Sequence, residues 1–285
     1  MDTKVSGTTK EVIISINRPT VLIGERINPT GKKKLAEALK SGDLEVVRQE
    51  AIAQVAAGAD IIDCNVNTPG VNDVELLPRV VKVVQEAVDA PMCLDSPNAA
   101  AIAAALKVYK GKPLINSVSG EEHSLKRILP LVKEYGAAVV GLVQDDEGIP
   151  KNAERRIAIA HKIVNALEKA GIPREDVVID VLAFAIGAES KSGMDVLESI
   201  RRIREELGVN MTMGASNISF GMPDRPIINN AWVSMVISAG ATALIVDAAK
   251  VRPSILATDL ILGRDRFARR FIEDHRKREQ ALKTQ

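Results

Sequence analysis

Residues Pro91–Leu106 read PMCLDSPNAAAIAAAL. A short apolar run ends in a carboxylate, Asp95, and a hydroxyl, Ser96. A proline and an asparagine then open an Ala-rich helical pattern. The stretch reads as a strand, a polar turn and a helix, and seven other places in the chain repeat the design. The strand-like runs are TVLIG (20–24), DIIDCNV (60–66), PMCLD (91–95), PLINS (113–117), AAVVGLV (137–143), DVVIDVL (176–182), MTMGAS (211–216) and ALIVDA (243–248). They are continuously apolar rather than alternating, as strands of a parallel sheet covered by helices should be.

Helical patterns with three- and four-residue apolar spacing lie between these runs. One carries Leu44, Val47, Ala51 and Val55; another carries Leu125, Ile128, Leu129 and Val132. Others carry Ile157, Ala160, Ile163, Val164 and Leu167, and Leu197, Ile200, Ile203 and Leu207. Gly58, Gly136 and Gly171 stand where helices must stop before strands two, five and six, and glycine caps a helix cheaply. Eight β-then-α units predict an α/β fold of one domain, a (β/α)8 TIM barrel. A doubly wound open sheet is the competing architecture. Strand one is followed by IGERINPTG, which fits neither a dinucleotide fingerprint nor a P-loop, and this weighs against it. The reading divides the chain into an N-terminal extension (1–19), the barrel (20–265) and a charged C-terminal helix (266–285). EVIISI within the extension is a candidate extra strand or cap on the barrel bottom.

Bulk composition narrows the function classes. The 285 residues suit a fold that typically takes about 250. Hydrophobic residues make up 46% and aromatics only 2%, so the core is Val, Ile, Leu and Ala. A net charge of +1 gives no electrostatic reason to expect nucleic acid or an anionic membrane as partner. The first residues lack the apolar core of a signal peptide, and no apolar run reaches the ~18 residues of a membrane span. Cys64 and Cys93 both lie inside apolar runs, which points to buried thiols in a reducing, cytoplasmic setting.

In a TIM barrel the site lies at the C-terminal ends of the strands. Those ends are polar throughout: Glu25, Arg26 and Asn28; Asp63, Asn65 and Asn67; Asp95 and Ser96; Asn116 and Ser117; Gln144, Asp145 and Asp146; Asp180; Ser216, Asn217 and Ser219; Asp247. Taken singly, each is as well explained as a helix N-cap, and Ser117, Asp145 and Asp146 fit that role best. As an ensemble they make a cup, and Asp63 and Asp180 lie inside apolar runs, where an unpaired carboxylate needs a partner or a ligand. His123, His161 and His275 all fall on helical patterns, so a histidine metal site or a Ser-His-Asp triad is not expected. No lysine ends a strand, which argues against Schiff-base chemistry. No metal site is expected. A cup of Asp, Asn and Ser suits a neutral heterocycle rich in N–H donors, because a carboxylate accepts two parallel hydrogen bonds from an amino-pyrimidinone edge.

A pterin has that edge. The segments VLIGERINPTG, IIDCNVN, MCLDS, LINSVSG, GAAVVGLVQDDEGIP, VVIDVL, GASNISFGMPDRPIIN and ALIVDA together resemble the pterin-binding methyltransferases, from about Val21 to about Leu262. These are the methyltetrahydrofolate:corrinoid (iron-sulfur) protein methyltransferases and the folate module of cobalamin-dependent methionine synthase. The resemblance implies a homodimeric barrel that holds methyltetrahydrofolate and passes its N5 methyl group to the Co(I) corrinoid (cobalamin) of a partner corrinoid protein. Asp95, Asn116 and Asp180 match the family positions that hold the pterin. Asn217 matches the position near N5, Asp63 and Asn65 line the same cup, and Glu25 and Arg225 match family positions of less defined role. The resemblance thus makes Asn217 and Asp95 the catalytic candidates.

The chemistry agrees with this. Co(I) is a strong nucleophile, but a tertiary amine leaves poorly unless its nitrogen is protonated or strongly hydrogen-bonded as the C–N bond breaks. A contact that strengthens only then accelerates the step. Asn217 can donate to N5 but carries no acidic proton, so the proton comes from solvent or from water held by Asp95. The chain shows no D-x-H-x-x-G cobalamin signature, and two cysteines are too few for a thiolate zinc site. Dihydropteroate synthase, a related pterin barrel, is one alternative, with Arg225, Lys250 and Arg252 as its candidate basic residues. A non-catalytic folate-binding subunit of a corrinoid complex is the other.

Overall fold

A computed structural model describes residues 1–283. Two short strands, β1 (Asp2–Ser6) and β2 (Glu11–Ser15), pair antiparallel at the start. Eight strands follow: β3 (Val21–Ile27), β4 (Ile61–Asn65), β5 (Met92–Asp95), β6 (Leu114–Ser119), β7 (Ala138–Leu142), β8 (Val177–Asp180), β9 (Asn210–Thr212) and β10 (Ala243–Val246). After β3 come α1 (Lys33–Ser41) and α2 (Glu45–Ala56). The later strands are each followed in turn by α3 (Asp73–Ala87), α4 (Ala99–Leu106), α5 (Glu122–Tyr135), α6 (Ala153–Lys169), α7 (Ser192–Leu207), α8 (Arg225–Ala239) and α9 (Ala248–Ile261). Helix α10 (Arg269–Lys283) ends the described chain, and residues 284 and 285 of the expected C-terminal helix lie outside it.

The eight strands run parallel in the order β10-β3-β4-β5-β6-β7-β8-β9. The ring closes between β9 and β10. There Thr242 N donates to Met211 O at 3.0 Å, Ile245 N donates to Met213 O at 2.9 Å, and Gly214 bridges Ile245. An open doubly wound sheet has no such closure, so the fold is a (β/α)8 barrel.

Strand parity explains both the core and the cup. Side chains alternate faces along a strand. Leu22, Ile62, Cys64, Leu94, Ile115, Val139 and Ile179 point outward into the helix layer. Their neighbours Val21, Ile23, Ile61, Cys93, Leu114, Ala138, Val140, Val178, Ala243 and Ile245 form a second, interior cluster. Two residues further along the same inward face come Glu25, Asp63, Asp95, Asn116, Asp180 and Asp247. An apolar floor therefore carries a polar rim.

The β1–β2 hairpin plugs the opposite end. Val5, Val12 and Ile14 join the interior cluster. Asn210 Nδ2 donates to Thr3 Oγ1 and to Ile14 O, both at 2.9 Å, which ties the plug to the start of β9. Ser6 N donates to Lys112 O at 2.8 Å. Gly111 permits this approach: with φ +116, its Cβ position would lie 2.3 Å from Ser6 O. The EVIISI segment is thus β2, at the barrel bottom as expected. Its partner β1 carries too short a pattern to stand out in the sequence.

Candidate functional site

The rim residues meet in layers fixed by strand register. Asn65 lies level with Asp95, and Asp95 with Asn116. Asn65 Nδ2 donates to Asp95 Oδ2 at 2.9 Å, while Asn65 Oδ1 accepts from Asn67 N at 2.8 Å. One layer down, Asp63 lies level with Cys93 and is 2% exposed. Its Oδ1 is buried without a hydrogen-bond partner. On the far side of the mouth, Asp180 ends β8 and its Oδ1 accepts from Leu182 N at 2.8 Å. Leu182 has φ +52, so the chain turns away sharply after Asp180 rather than continuing as the expected strand to residue 182.

Strand seven is also shorter than its sequence pattern. β9 stops at Thr212, and residues Ala215–Ser219 form a 3-10 turn. Asn217 sits in that turn, exposed, with its backbone N donating to Gly214 O at 3.2 Å. Its side-chain amide lies over Gly214, where a Cβ would come within 3.0 Å of Nδ2. Ser216 Oγ, in the same turn, donates to Glu25 Oε2 at 3.1 Å across the mouth. Arg225 opens α8 and turns back onto this loop. Its Nε donates to Ser219 Oγ at 3.0 Å and its Nη2 to Ser216 O at 2.9 Å. Arg225 thus braces the segment that carries Asn217.

Two cations escape the sequence reading because neither ends a strand. Lys32 donates its Nζ hydrogens to Glu25 O (3.2 Å) and Arg26 O (3.1 Å). Arg156 on α6 is completely buried beneath the loops after β7 and β8. Only its place on an otherwise apolar helical face hinted at this. At the rim, Arg26 pairs with Glu50 at 3.3 Å, and Asp247 pairs with Lys250 at 3.1 Å.

Burial dominates the electrostatics. Asp63 is held well above the usual carboxylate range, first by desolvation and then by the charge of Asp95, against weaker opposing pulls from Cys93 and Asn116. Asp95 moves the same way by desolvation, opposed by the Asn65 hydrogen bond. Asp180 is pushed up to about 7 by burial, against the Leu182 N–H and the charge of Arg156. Glu25 is raised by desolvation, against the Ser216 hydrogen bond. Burial lifts the Cys64 and Cys93 thiols far above neutrality, so neither is a thiolate nucleophile. Burial thus favours the protonated forms of these carboxylates, and hydrogen-bond donors set against them favour the ionised forms.

A cleft of about 280 Å³ leaves the mouth between the starts of α4 and α5. Asp95, Asn116, Leu142 and Gln144 line its inner end, and His123 and Arg127 its outer end.

Fold and cup define the class: a barrel whose mouth gathers amides and buried carboxylates at its strand ends. The chain belongs to the pterin binding enzyme family, whose pattern matches residues 24–247. It is 32% identical over 259 residues to a methylcorrinoid:tetrahydrofolate methyltransferase of Eubacterium limosum, with 88% of this chain and 94% of that one covered. It is also 32% identical over 246 residues to a methionine synthase of Mycobacterium tuberculosis, covering 82% of this chain and 21% of that much longer protein. Among solved structures, a Yersinia pestis dihydropteroate synthase aligns with TM-score 0.68 at 16% identity, covering 92% of this chain and all of that one. A Xanthomonas albilineans dihydropteroate synthase aligns with TM-score 0.66 at 20% identity, covering 88% of this chain and 95% of that one. At such identities these two structures speak for the fold.

Proposed function

We propose that this chain is a methyltransferase that moves the N5 methyl group between methyltetrahydrofolate and the cobalt of a corrinoid carried by a partner protein. The single observation that carries the reading is the near full-length likeness to the Eubacterium limosum methyltransferase, at 32% identity. The cup geometry supports it. Asp180 keeps Oδ2 free and Oδ1 with a spare lone pair for the amino-pyrimidinone edge, and Asn116 faces Asp95 across the β5–β6 junction for a further ring nitrogen. Asn217 is exposed on its turn, with its side-chain amide beside Gly214.

In the forward direction Co(I) attacks the methyl carbon, the C–N bond breaks, and its electron pair stays on N5. Asn217 donates a hydrogen bond that strengthens as N5 gains density. Water held by Asp95 delivers the proton that completes the amine. In reverse, the neutral N5–H amine attacks the methyl carbon with its lone pair and passes its proton to the water held by Asp95 as the C–N bond forms, and the same residues serve. The partner is a corrinoid protein, of which the corrinoid iron-sulfur type is one form. A homodimer and a reducing, cytoplasmic setting complete the reading. The dihydropteroate synthase alternative gains nothing beyond fold from structures at 16–20% identity.

The test is anaerobic stopped-flow mixing of the chain with methyltetrahydrofolate and Co(I) cobalamin, following methyl-Co(III) formation. A rate that depends on the protein is expected. Tight folate binding with no transfer to free cobalamin or to any corrinoid protein would favour the binding-subunit alternative.

A further inference from the structure

Arg156 is the bulkiest side chain fully buried in the described chain, and no strand-end motif accounts for it. A guanidinium is always charged and carries five N–H donors. Three of those donors are spent on backbone carbonyls from two different loops. Nε donates to Pro150 O at 3.1 Å, in the loop after β7. Nη1 donates to Val181 O at 3.1 Å and Leu182 O at 2.6 Å, in the loop after β8. The Phe184 ring lies 5.8 Å from Cζ. Nη2 is buried with no partner. A structural arginine in a dry interior is expected to satisfy its donors, so the orphan marks a group whose placement serves something other than packing.

Two of these three carbonyls, those of Val181 and Leu182, flank the amide that fixes Asp180. Leu182 N donates to Asp180 Oδ1 at 2.8 Å, and Leu182 holds this position only in the left-handed conformation, at φ +52. A non-glycine residue there is strained and persists only when its surroundings enforce it. The Arg156 clamp on the Val181 and Leu182 carbonyls spans this residue. We propose that Arg156 is a positioning residue for the pterin site: by pinning the Val181 and Leu182 carbonyls it fixes the turn whose amide aims Asp180 into the cup. The proposal rests on the pterin reading above. Arg156 itself need touch no ligand. Its charge has a second effect, since it is the charged group set against Asp180 and favours that residue's ionised, accepting form. Asp195 on α7 is the other carboxylate that faces the guanidinium.

The test is a double-mutant cycle on the full chain, with methyltetrahydrofolate as the probe in equilibrium titrations. Arg156→Lys keeps the charge and loses the fork. It should weaken binding about tenfold in the wild-type background and hardly at all on top of Asp180→Asn, because the residue it positions is already disabled. Equal losses in the two backgrounds would mean a general packing role and overturn the proposal. So would a folded Arg156→Lys with wild-type affinity. Arg156→Met adds a readout that packing does not move: the acid limb of binding should shift to higher pH, whereas Arg156→Lys should leave it in place. If the Met variant fails to fold, the lysine cycle decides alone. A wild-type chain that binds no methyltetrahydrofolate removes the pterin reading and this inference with it. A wild-type chain that binds while Arg156→Lys is indifferent removes only this inference.

Discussion

Asn65 and Asp95 end adjacent strands in the same layer, and the Asn65 amide donates to Asp95 Oδ2 at 2.9 Å. The bond fixes the carboxylate's rotamer and leaves its other oxygen for the mouth. It also opposes the rise that burial imposes on Asp95. Asn65→Ala should free the side chain and strengthen its tendency to hold a proton. Methyltetrahydrofolate affinity should fall several-fold near neutrality and recover in part at higher pH. Titration across pH checks this, and a pH-independent loss would show that Asp95 is not the group being tuned.

Asn217 should matter more for rate than for affinity. Its side chain is exposed on a turn, and its contribution appears when N5 accumulates charge. Asn217→Ala should lower single-turnover methyl transfer about 100-fold, the scale of losing one transition-state donor. Folate affinity should change far less. Gly214→Ala is an independent probe, since its new methyl would press within 3.0 Å of Asn217 Nδ2. It should depress the rate with a smaller effect. Matched losses in affinity and unchanged turnover would remove Asn217 from the reacting nitrogen.

The contrast between Asn217 and Arg156 shows what a sequence discloses. The barrel was legible because each β-then-α unit repeats a local pattern that needs no knowledge of its neighbours. The cup was legible because strand parity carries Glu25, Asp63, Asp95, Asn116 and Asp180 inward above apolar residues. Asn217 was placed by motif, while its turn was misread as the end of a strand because GAS continues the apolar pattern of MTM. Arg156 and Lys32 were illegible. Both act on backbone carbonyls brought close only by the fold, and no spacing in the chain encodes that meeting.

Asp180 should make affinity and stability respond to pH in opposite senses. Its pKa in the folded chain is about 7, raised by burial from an ordinary 3.8. On the proposed function the ionised form of Asp180 accepts from the pterin edge, so affinity should fall as pH drops through about 7. For the free chain, the fold favours the neutral form. The stability that Asp180 contributes is therefore full below its ordinary value and is lost as pH rises through about 7. Asp180→Asn should weaken binding strongly yet raise the melting temperature of the free chain by a few degrees on the alkaline side, with no gain in acid. Calorimetric melts on both sides of neutrality check it. Unchanged affinity would take Asp180 away from the ring edge.

The cysteines should be chemically silent. Cys64 faces the helix layer and Cys93 the barrel interior beside Asp63, and both are fully buried with raised pKa values. Thiol reagents should label the native chain only at the rate of its opening. Cys64→Ser and Cys93→Ser should keep methyl-transfer turnover when folded. A specific loss in a stable Cys93→Ser variant would mean that the thiol beside Asp63 takes part in the chemistry.

The hairpin plug should carry stability without touching the cup. Ile14 is fully buried among the interior residues at the bottom of the barrel, and its carbonyl anchors the Asn210 amide. The polar rim lies at the other ends of the same strands, with the layer containing Ile23, Ile61, Leu114 and Val178 between. Ile14→Ala leaves the backbone bond in place and removes buried methyl groups from a packed interior. That should cost about 2 to 5 kcal/mol in denaturant unfolding, according to how far the plug can settle into the space. Folate affinity and transfer rate under native conditions should stay near wild type, because an apolar layer that keeps its shape transmits no change in the orientation of Asp95 or Asp180. A variant with intact stability would show that the hairpin is not packed as a plug. One that loses affinity while still folded would show that the floor of the barrel sets the geometry of its rim.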